Sequence, residues 1–290
     1  MELRQMRYVV AVAEHGSFTR AAESCFVVQS ALSHQIARLE KELGVQLFHR
    51  TSRQVRLSPA GTAFLPVARQ CLDAADRAAA EAAAAEGEIR GPLTLGVIPT
   101  VAAVDVPEVL RLFRTRHPQV QIRLTGGTSG SFVRQVADGA LDLAFLGLPE
   151  GFELTGVAHR LLAEDQHRAV LAAGHPLAAR RRLTLEQLAD ETFIDFPAGS
   201  TGRQQADQAF ATAGLIRHVA YETSDILLLS RLLRAGLGVA LLAASFADQL
   251  PELVKIPVAN APTRTEHVIW STFGPAPAAA EFLAQIGVAP

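Results

Sequence analysis

Gln29, Ser30, Ser33, His34 and Arg38 share one side of the stretch from Gln29 to Leu43, together with Ala37 and Lys41. On the other side Leu32, Ile36, Leu39 and Leu43 fall within about 60° of arc at about 100° per residue. Short amides and hydroxyls let a helix approach the floor of a DNA major groove, where they match the donors and acceptors of base edges. A solvated helix face has a similar composition, so this stretch alone leaves both readings open. The residues that follow favour the first. Gly44 can end the helix, and the apolar pairs Leu47-Phe48 and Val55/Leu57 flank His49-Arg50-Thr51-Ser52-Arg53-Gln54. That pattern predicts a two-stranded hairpin with a basic tip, whose Arg50 and Arg53 could hold phosphates or enter the adjacent minor groove.

The elements that position this face lie just upstream. Leu3, Met6, Val10 and Ala13 recur at helical spacing and predict an amphipathic helix over Arg4–His15. Gly16 can close it in the left-handed conformation, and Ser17 can cap the next helix. Phe18 anchors the junction, Ala21 and Ala22 permit close packing, and Cys25-Phe26-Val27-Val28 forms the turn into the polar-faced helix. Charge agrees with this layout. Residues 1–60 hold eight Lys or Arg against five acids, a net +3, while the whole chain is −2, leaving −5 elsewhere. A basic head on an acidic body fits nucleic-acid contact by the head.

These segments resemble a known family. GSFTRAAE (16–23), QSALSHQIARLEKELGVQLFHR (29–50) and LSPAG (57–61) look like the DNA-binding region of LysR-type transcriptional regulators, and the resemblance extends along essentially the whole chain. It implies an N-terminal, all-α winged helix-turn-helix (1–58), a long linker helix (59–90), and a C-terminal α/β effector domain (91–290). That last domain would resemble a type 2 periplasmic binding protein with two lobes, one at about 92–160 and 268–290 and the other at about 161–267. The implied DNA-binding set is Ser17, Thr19, Gln29, Ser30, Ser33, His34, Arg38, Arg50 and Arg53. Two positions depart from the family. Val28 stands where Ser is common, so either Ser30 caps the helix or phosphate and water take its free N–H groups. His34 stands where Arg is common and gives a shorter, pH-sensitive contact.

Ser58-Pro59 is a helix start, with Ser as cap and Pro in the first turn. The Ala-rich run from there to about Glu88 has high helical propensity, and Leu65, Ala68, Leu72, Ala75 and Ala79 form one apolar stripe. A helix of that length with few large side chains makes no core by itself. It is either a solvated connector or, as the family resemblance implies, the helix that pairs with a second subunit. Pro66 could bend it, and Gly87 and Gly91-Pro92 mark a boundary.

From Leu93 strands and helices alternate, which predicts a mostly parallel α/β architecture. Strands are expected at Leu93–Ile98, Val120–Thr125, Leu143–Leu148, Arg168–Ala172, Phe193–Phe196, Val219–Thr223, Val239–Leu242 and His267–Thr272. Helices are expected at Val106–Arg116 and near Ser131–Asp138. Ligands of such sheets bind beyond strand carboxyl ends. The loops there carry hydroxyls and exposed N–H groups beside helix starts, a setting that favours small anions such as carboxylates. Simple turn and cap chemistry gives the same composition. The effector-binding candidates are Thr100, Val101, Thr128, Ser129, Ser200, Thr201 and Ser224, with Arg203 as a charge partner or a surface residue. Leu141-Asp142-Leu143-Ala144 and Ala235-Gly236-Leu237-Gly238-Val239-Ala240 look like recurrent segments of the family's effector domain.

Other classes find little support. HExxH, paired CxxC, GxGxxG and GxxxxGK[ST] are absent, and Gly127–Ser131 falls one glycine short of GxSxG. His117 and His175 precede prolines and read as surface residues. No catalytic, metal-binding or cofactor-binding residue is expected. Cys25 and Cys71 are two small buried hydrophobes or a redox sensor, too few for a disulfide scaffold. The start MELRQMRYVV lacks a signal peptide's apolar run, and no stretch suits a bilayer, so the expected location is cytoplasmic. The expected partners are double-stranded promoter DNA, a small-molecule effector, a second copy of the chain (homodimer or homotetramer) and RNA polymerase, but no membrane.

Overall fold

The computed structural model describes residues 1–50 and 55–289, in two compact units, one holding Met1–Gly91 and the other beginning at Pro92. In the first, α1 (Leu3–His15), α2 (Phe18–Ser24) and α3 (Gln29–Leu43) are followed by the hairpin β1 (Phe48–Arg50) and β2 (Val55–Leu57) and by α4 (Pro59–Ala85). The tip of the wing, with Arg53, lies outside the described residues. Leu32, Ile36 and Leu39 are fully buried against Val9, Val12, Phe18, Ala21 and Phe48, each contributing about 1.5–3 kcal/mol. On the opposite side of α3, Gln29, Ser30, His34, Arg38 and Lys41 are exposed.

Polar tethers fix the wing. The Glu40 carboxylate of α3 accepts from the backbone N–H of Leu47 at 2.8 Å and of Phe48 at 3.2 Å. Ser58 caps α4 by accepting from Gly61 N–H and donates to the Gln46 carbonyl. Pro66 lies inside α4 without ending it. Arg69 and Arg7 tie α4 to α1 through ion pairs with Glu14 and Asp76.

The second unit contains β3 (Gly91–Val97), α5 (Val106–Arg116), β4 (Val120–Gly126), α6 (Ser129–Ala137), β5 (Leu143–Pro149) and β6 (Val157–Leu171). A 3-10 turn (Pro176–Ala179) leads to α7 (Leu185–Ala189), β7 (Thr192–Asp195), α8 (Thr201–Thr212), β8 (His218–Glu222), α9 (Ile226–Arg234) and β9 (Ala240–Ala243). Then come α10 (Ala244–Ala247), β10 (Val254–Pro257), β11 (Thr263–Ser271) and α11 (Pro277–Gln285). The main sheet runs β10-β6-β11-β5-β3-β4, with β9 also on β6. β5 is buried along nearly its whole length and pairs parallel with β3. β6 and β11 are the long crossing strands. The first part of β6 pairs with β11 and its last part with β9 and β10, all antiparallel, and the β6–β11 register shifts between Glu266 and His267.

Three expectations change. The strand placed at Arg168–Ala172 is only the end of β6, and β11 begins at Thr263 rather than His267. The polar residues of both strands had hidden them. The architecture is mixed rather than mostly parallel, because both crossing strands pair antiparallel. His117 and His175 are not surface residues: their side chains are 13% and 11% exposed, beside Glu281 and Glu191. His117 packs on Phe113, and His175 Nδ1 caps the 3-10 turn.

The family-like segments have physical reasons. Asp142 accepts from both the N–H and hydroxyl of Thr94, each at 2.6 Å, stapling β5 to β3. A methyl at Gly61 would lie 2.1 Å from the Leu47 carbonyl oxygen, so only glycine lets α4 start against the wing. Gly61→Ala should cost about 1–3 kcal/mol through this overlap. Thermal or urea unfolding of the full chain checks it, and an unchanged midpoint would contradict the close approach.

Candidate functional site: a helix face and an interlobe cavity

The caps form largely as their residue types dictate. Gly44 ends α3 at φ 71°, and Ser17 accepts from the Arg20 N–H at the start of α2. At α3 no side chain caps the first turn: Val28 occupies the cap position, and the N–H groups of Ala31 and Leu32 reach back to its carbonyl. Ser30 therefore does not take over the cap. Gln29, Ser30, His34 and Arg38 are exposed, Ser33 is half-buried, Thr19 is exposed and Ser17 half-buried. Arg50 sits on β1 opposite Val55. Gln29, Ser30, Ser33, His34 and Arg38 thus lie on one helix whose other side is core.

In the second unit a cavity of about 630 Å³ is lined from the ends of β3, β4, β7 and β9 and from the starts of α6 and α8. Thr100, Thr128, Ser129, Ser200, Thr201 and Ser224 all line it. Val101 does not; it packs on the cluster of Ile98, Phe132 and Leu146, the natural place for its isopropyl group. Three of the hydroxyls are already engaged, Thr128 Oγ1 accepting from Ser131 N–H at 3.4 Å. Ser129 Oγ donates to the Gly147 carbonyl and accepts from its N–H, and Ser200 Oγ caps α8.

Arg203 lies outside the lining. It pairs with Asp207 and Glu222, while Arg217 sits 2.5 Å from Asp195. This network braces the cavity loop, since Asp195 accepts from Phe196 N–H and Arg203 donates to the Phe196 carbonyl. Burial pushes the Asp195 carboxyl above its usual range, although Arg217 opposes that shift.

Four further residues of the cavity are not among the expected effector-binding set. Arg264, on β11, is 5% exposed and donates to the Thr100 carbonyl at 2.9 Å and to Glu266 at 3.0 Å. Glu266 in turn accepts from Ala102 and Ala103 N–H. A methyl at Gly147 would meet Arg264 Nε at 2.6 Å, so the glycine makes room for the guanidinium. Gln205, one turn into α8 and 4% exposed, has no hydrogen-bond partner among the described residues for either amide atom. His167 lies 3.0 Å from the Pro262 carbonyl through Nδ1; a carbonyl only accepts, so Nδ1 carries the proton and Nε2 is the acceptor. Phe196 adds an aromatic wall with Ile98, Leu241, Leu242 and Phe246. Arg264 is thus the cavity's one formal charge among its lining residues near neutral pH. The Arg264/Glu266 pair, two apart on a strand and so on one face, was the available signal.

Comparison with known proteins now places the chain. Residues 3–62 match the model of the bacterial regulatory helix-turn-helix protein, lysR family, and residues 86–288 match the LysR substrate binding domain. The transcriptional dual regulator GltC of Bacillus subtilis is 35% identical over 262 residues, covering 89% of this chain and 86% of GltC. The hydrogen peroxide-inducible genes activator of Pectobacterium carotovorum is 33% identical over 245 residues, covering 84% of this chain and 80% of that one. A full-length OxyR variant from Pseudomonas aeruginosa superposes with a TM-score of 0.79 at 28% identity, covering 100% of this chain and 95% of that one. Full-length CbnR in complex with its target DNA gives 0.67 at 26% identity, covering 99% of each chain. The chain belongs to the LysR family of transcriptional regulators. It is a DNA-binding regulator with a winged helix-turn-helix and a two-lobed effector-binding domain.

Burial holds the His167 pKa down, from 6.5 to about 4. As the pH falls below 6.5 the unfolded chain takes up a proton that the folded chain refuses until about 4. The stability from this site is therefore complete above that window and lost as the pH falls through it. His167→Gln should flatten the pH dependence of the melting temperature between 6.5 and about 4; an unaltered slope would mean that His167 titrates normally.

Proposed function

We propose that a homodimer, or a pair of dimers, reads an interrupted palindrome in promoter DNA and answers to a small carboxylate held between the lobes. The observation that carries the DNA half is the exposed, uncapped start of α3, with Gln29 and Ser30 at its first positions and core behind it. First-turn N–H groups without a capping side chain suit a phosphate or water, and the helix dipole favours the anion. Gln29, Ser30, Ser33 and His34 approach the bases. Arg38, Arg50 and Arg53 meet the backbone, with Ser17 and Thr19 beside them. The single cation and the starts of α6 and α8 support an anionic effector, and the apolar walls support an effector with a hydrocarbon body.

The described lobes meet along β6 and β11, and the register shift at Glu266/His267 is the proposed hinge. An effector acts only through different affinities for two arrangements of the protein. Reversible binding fits better than thiol oxidation, because the sequence has no cysteine after Cys71. The second subunit packs along α4, whose Leu65, Leu72 and Ala75 stay half-buried and whose Val67 is 57% exposed. The proposed setting is the cytoplasm, with RNA polymerase as a further partner at the promoter; no described helix is long and apolar enough to cross a membrane.

Gln29→Ala should relax preference at particular base pairs of a duplex selected by the wild-type protein, by roughly 1–3 kcal/mol. Anisotropy titrations measure this, and equal losses on selected and random DNA would contradict base reading. Gln205→Leu should raise the melting temperature of the ligand-free protein, since it removes two unpartnered buried polar atoms. It should also abolish most of the thermal shift given by the best binder among small apolar monocarboxylates. A full shift in the variant would remove Gln205 from the effector site.

A further inference from the structure

The turn between α2 and α3 contains a residue that its own fold disfavours. Phe26 has φ 55°, in the left-handed region. Its N–H bonds the Glu23 carbonyl at 3.1 Å, and Val27 N–H bonds the Ala22 carbonyl at 3.0 Å. This is the Schellman arrangement that closes α2, and the position Phe26 occupies in it ordinarily takes glycine or asparagine. The other non-glycine residue with positive φ among the described residues is Asn260, a type that tolerates it. A bulky side chain there is strained, and burial offers no compensation: Phe26 is 96% exposed. The helix-turn-helix thus carries a strained backbone and an uncovered ring at one residue.

What covers the ring follows from its place. Phe26 stands two residues before Val28, itself 68% exposed, and three before Gln29, the first residue of α3. Exposed apolar groups here adjoin the polar face that presents to DNA. The apolar feature of a major-groove edge is the thymine methyl group, and aromatic side chains are among those that contact it. We propose that Phe26 is a specificity-determining residue that packs its ring on a thymine methyl at the edge of each half-site. It adds an apolar reading to the hydrogen-bonding one of α3. This inference rests on the DNA-reading face proposed above and goes beyond it by assigning a residue and the base it reads.

The test uses the full chain and a duplex selected by the wild-type protein from a random-sequence pool. Phe26→Asn removes the ring and suits the left-handed backbone, so it should raise the melting temperature while weakening binding to the selected duplex about tenfold. Phe26→Tyr keeps the ring and should bind like wild type. Replacing thymines by deoxyuridine one at a time removes single methyls. At one thymine per half-site the loss should be about fourfold for wild type, the value of one buried methyl, and absent for Phe26→Asn. Undiminished binding by Phe26→Asn would overturn the proposal, as would a loss with no thymine coupled to residue 26. Loss of transcriptional activation with DNA affinity intact would also overturn it, by showing that the ring meets a protein. If wild type enriches no sequence, the DNA-reading face itself falls; if it does and only the Phe26 effects fail, that face stands.

Discussion

A guanidinium taken out of water must be paired where it lies, and the effector domain is arranged around one such group. Burial lowers the pKa of Arg264, and the carboxylates of Glu266 and Asp165 oppose that shift. The pair also does mechanical work, because Arg264 holds the Thr100 carbonyl while Glu266 holds the Ala102 and Ala103 N–H groups. The loop after β3 is thereby fastened to β11 at the register shift. Removing one member of a buried pair typically costs about 3–5 kcal/mol. A ligand carboxylate that shared Arg264 would loosen or redirect these bonds without leaving the charge bare.

The DNA-binding unit follows a similar economy. Leu32, Ile36 and Leu39 lock α3 into the core, and Glu40 on the same helix holds the start of the wing. The start of the wing is therefore fastened directly to α3. Local rules are broken at the junction between α2 and α3: Val28 leaves the helix start uncapped, and Phe26 strains the turn. Such departures concentrate at functional sites in natural proteins.

Much of this was legible in the sequence, for identifiable reasons. α3 and α5 cover the residues expected of them, α3 from its apolar spacing and the Gly44 stop, and Ser58-Pro59 opens α4. The glycine and hydroxyl loops before α6 and α8 announced the cavity, because helix starts beside strand ends need those residues. β6 was not legible. Its sequence mixes polar and apolar residues as it passes between different partners, so only its apolar end reads as strand. Arg264, His167 and Gln205 looked like ordinary polar positions, since their burial depends on chain segments distant in sequence. Val101 misled for the opposite reason: it adjoins Thr100 in the loop but turns to the core.

The central claim, that this chain is an effector-dependent reader of specific DNA, is tested most directly by mapping its bound sites across a genome that encodes it. The account predicts a small set of promoter-proximal sites sharing an interrupted, two-fold symmetric motif. Uniform, sequence-independent coverage would contradict it.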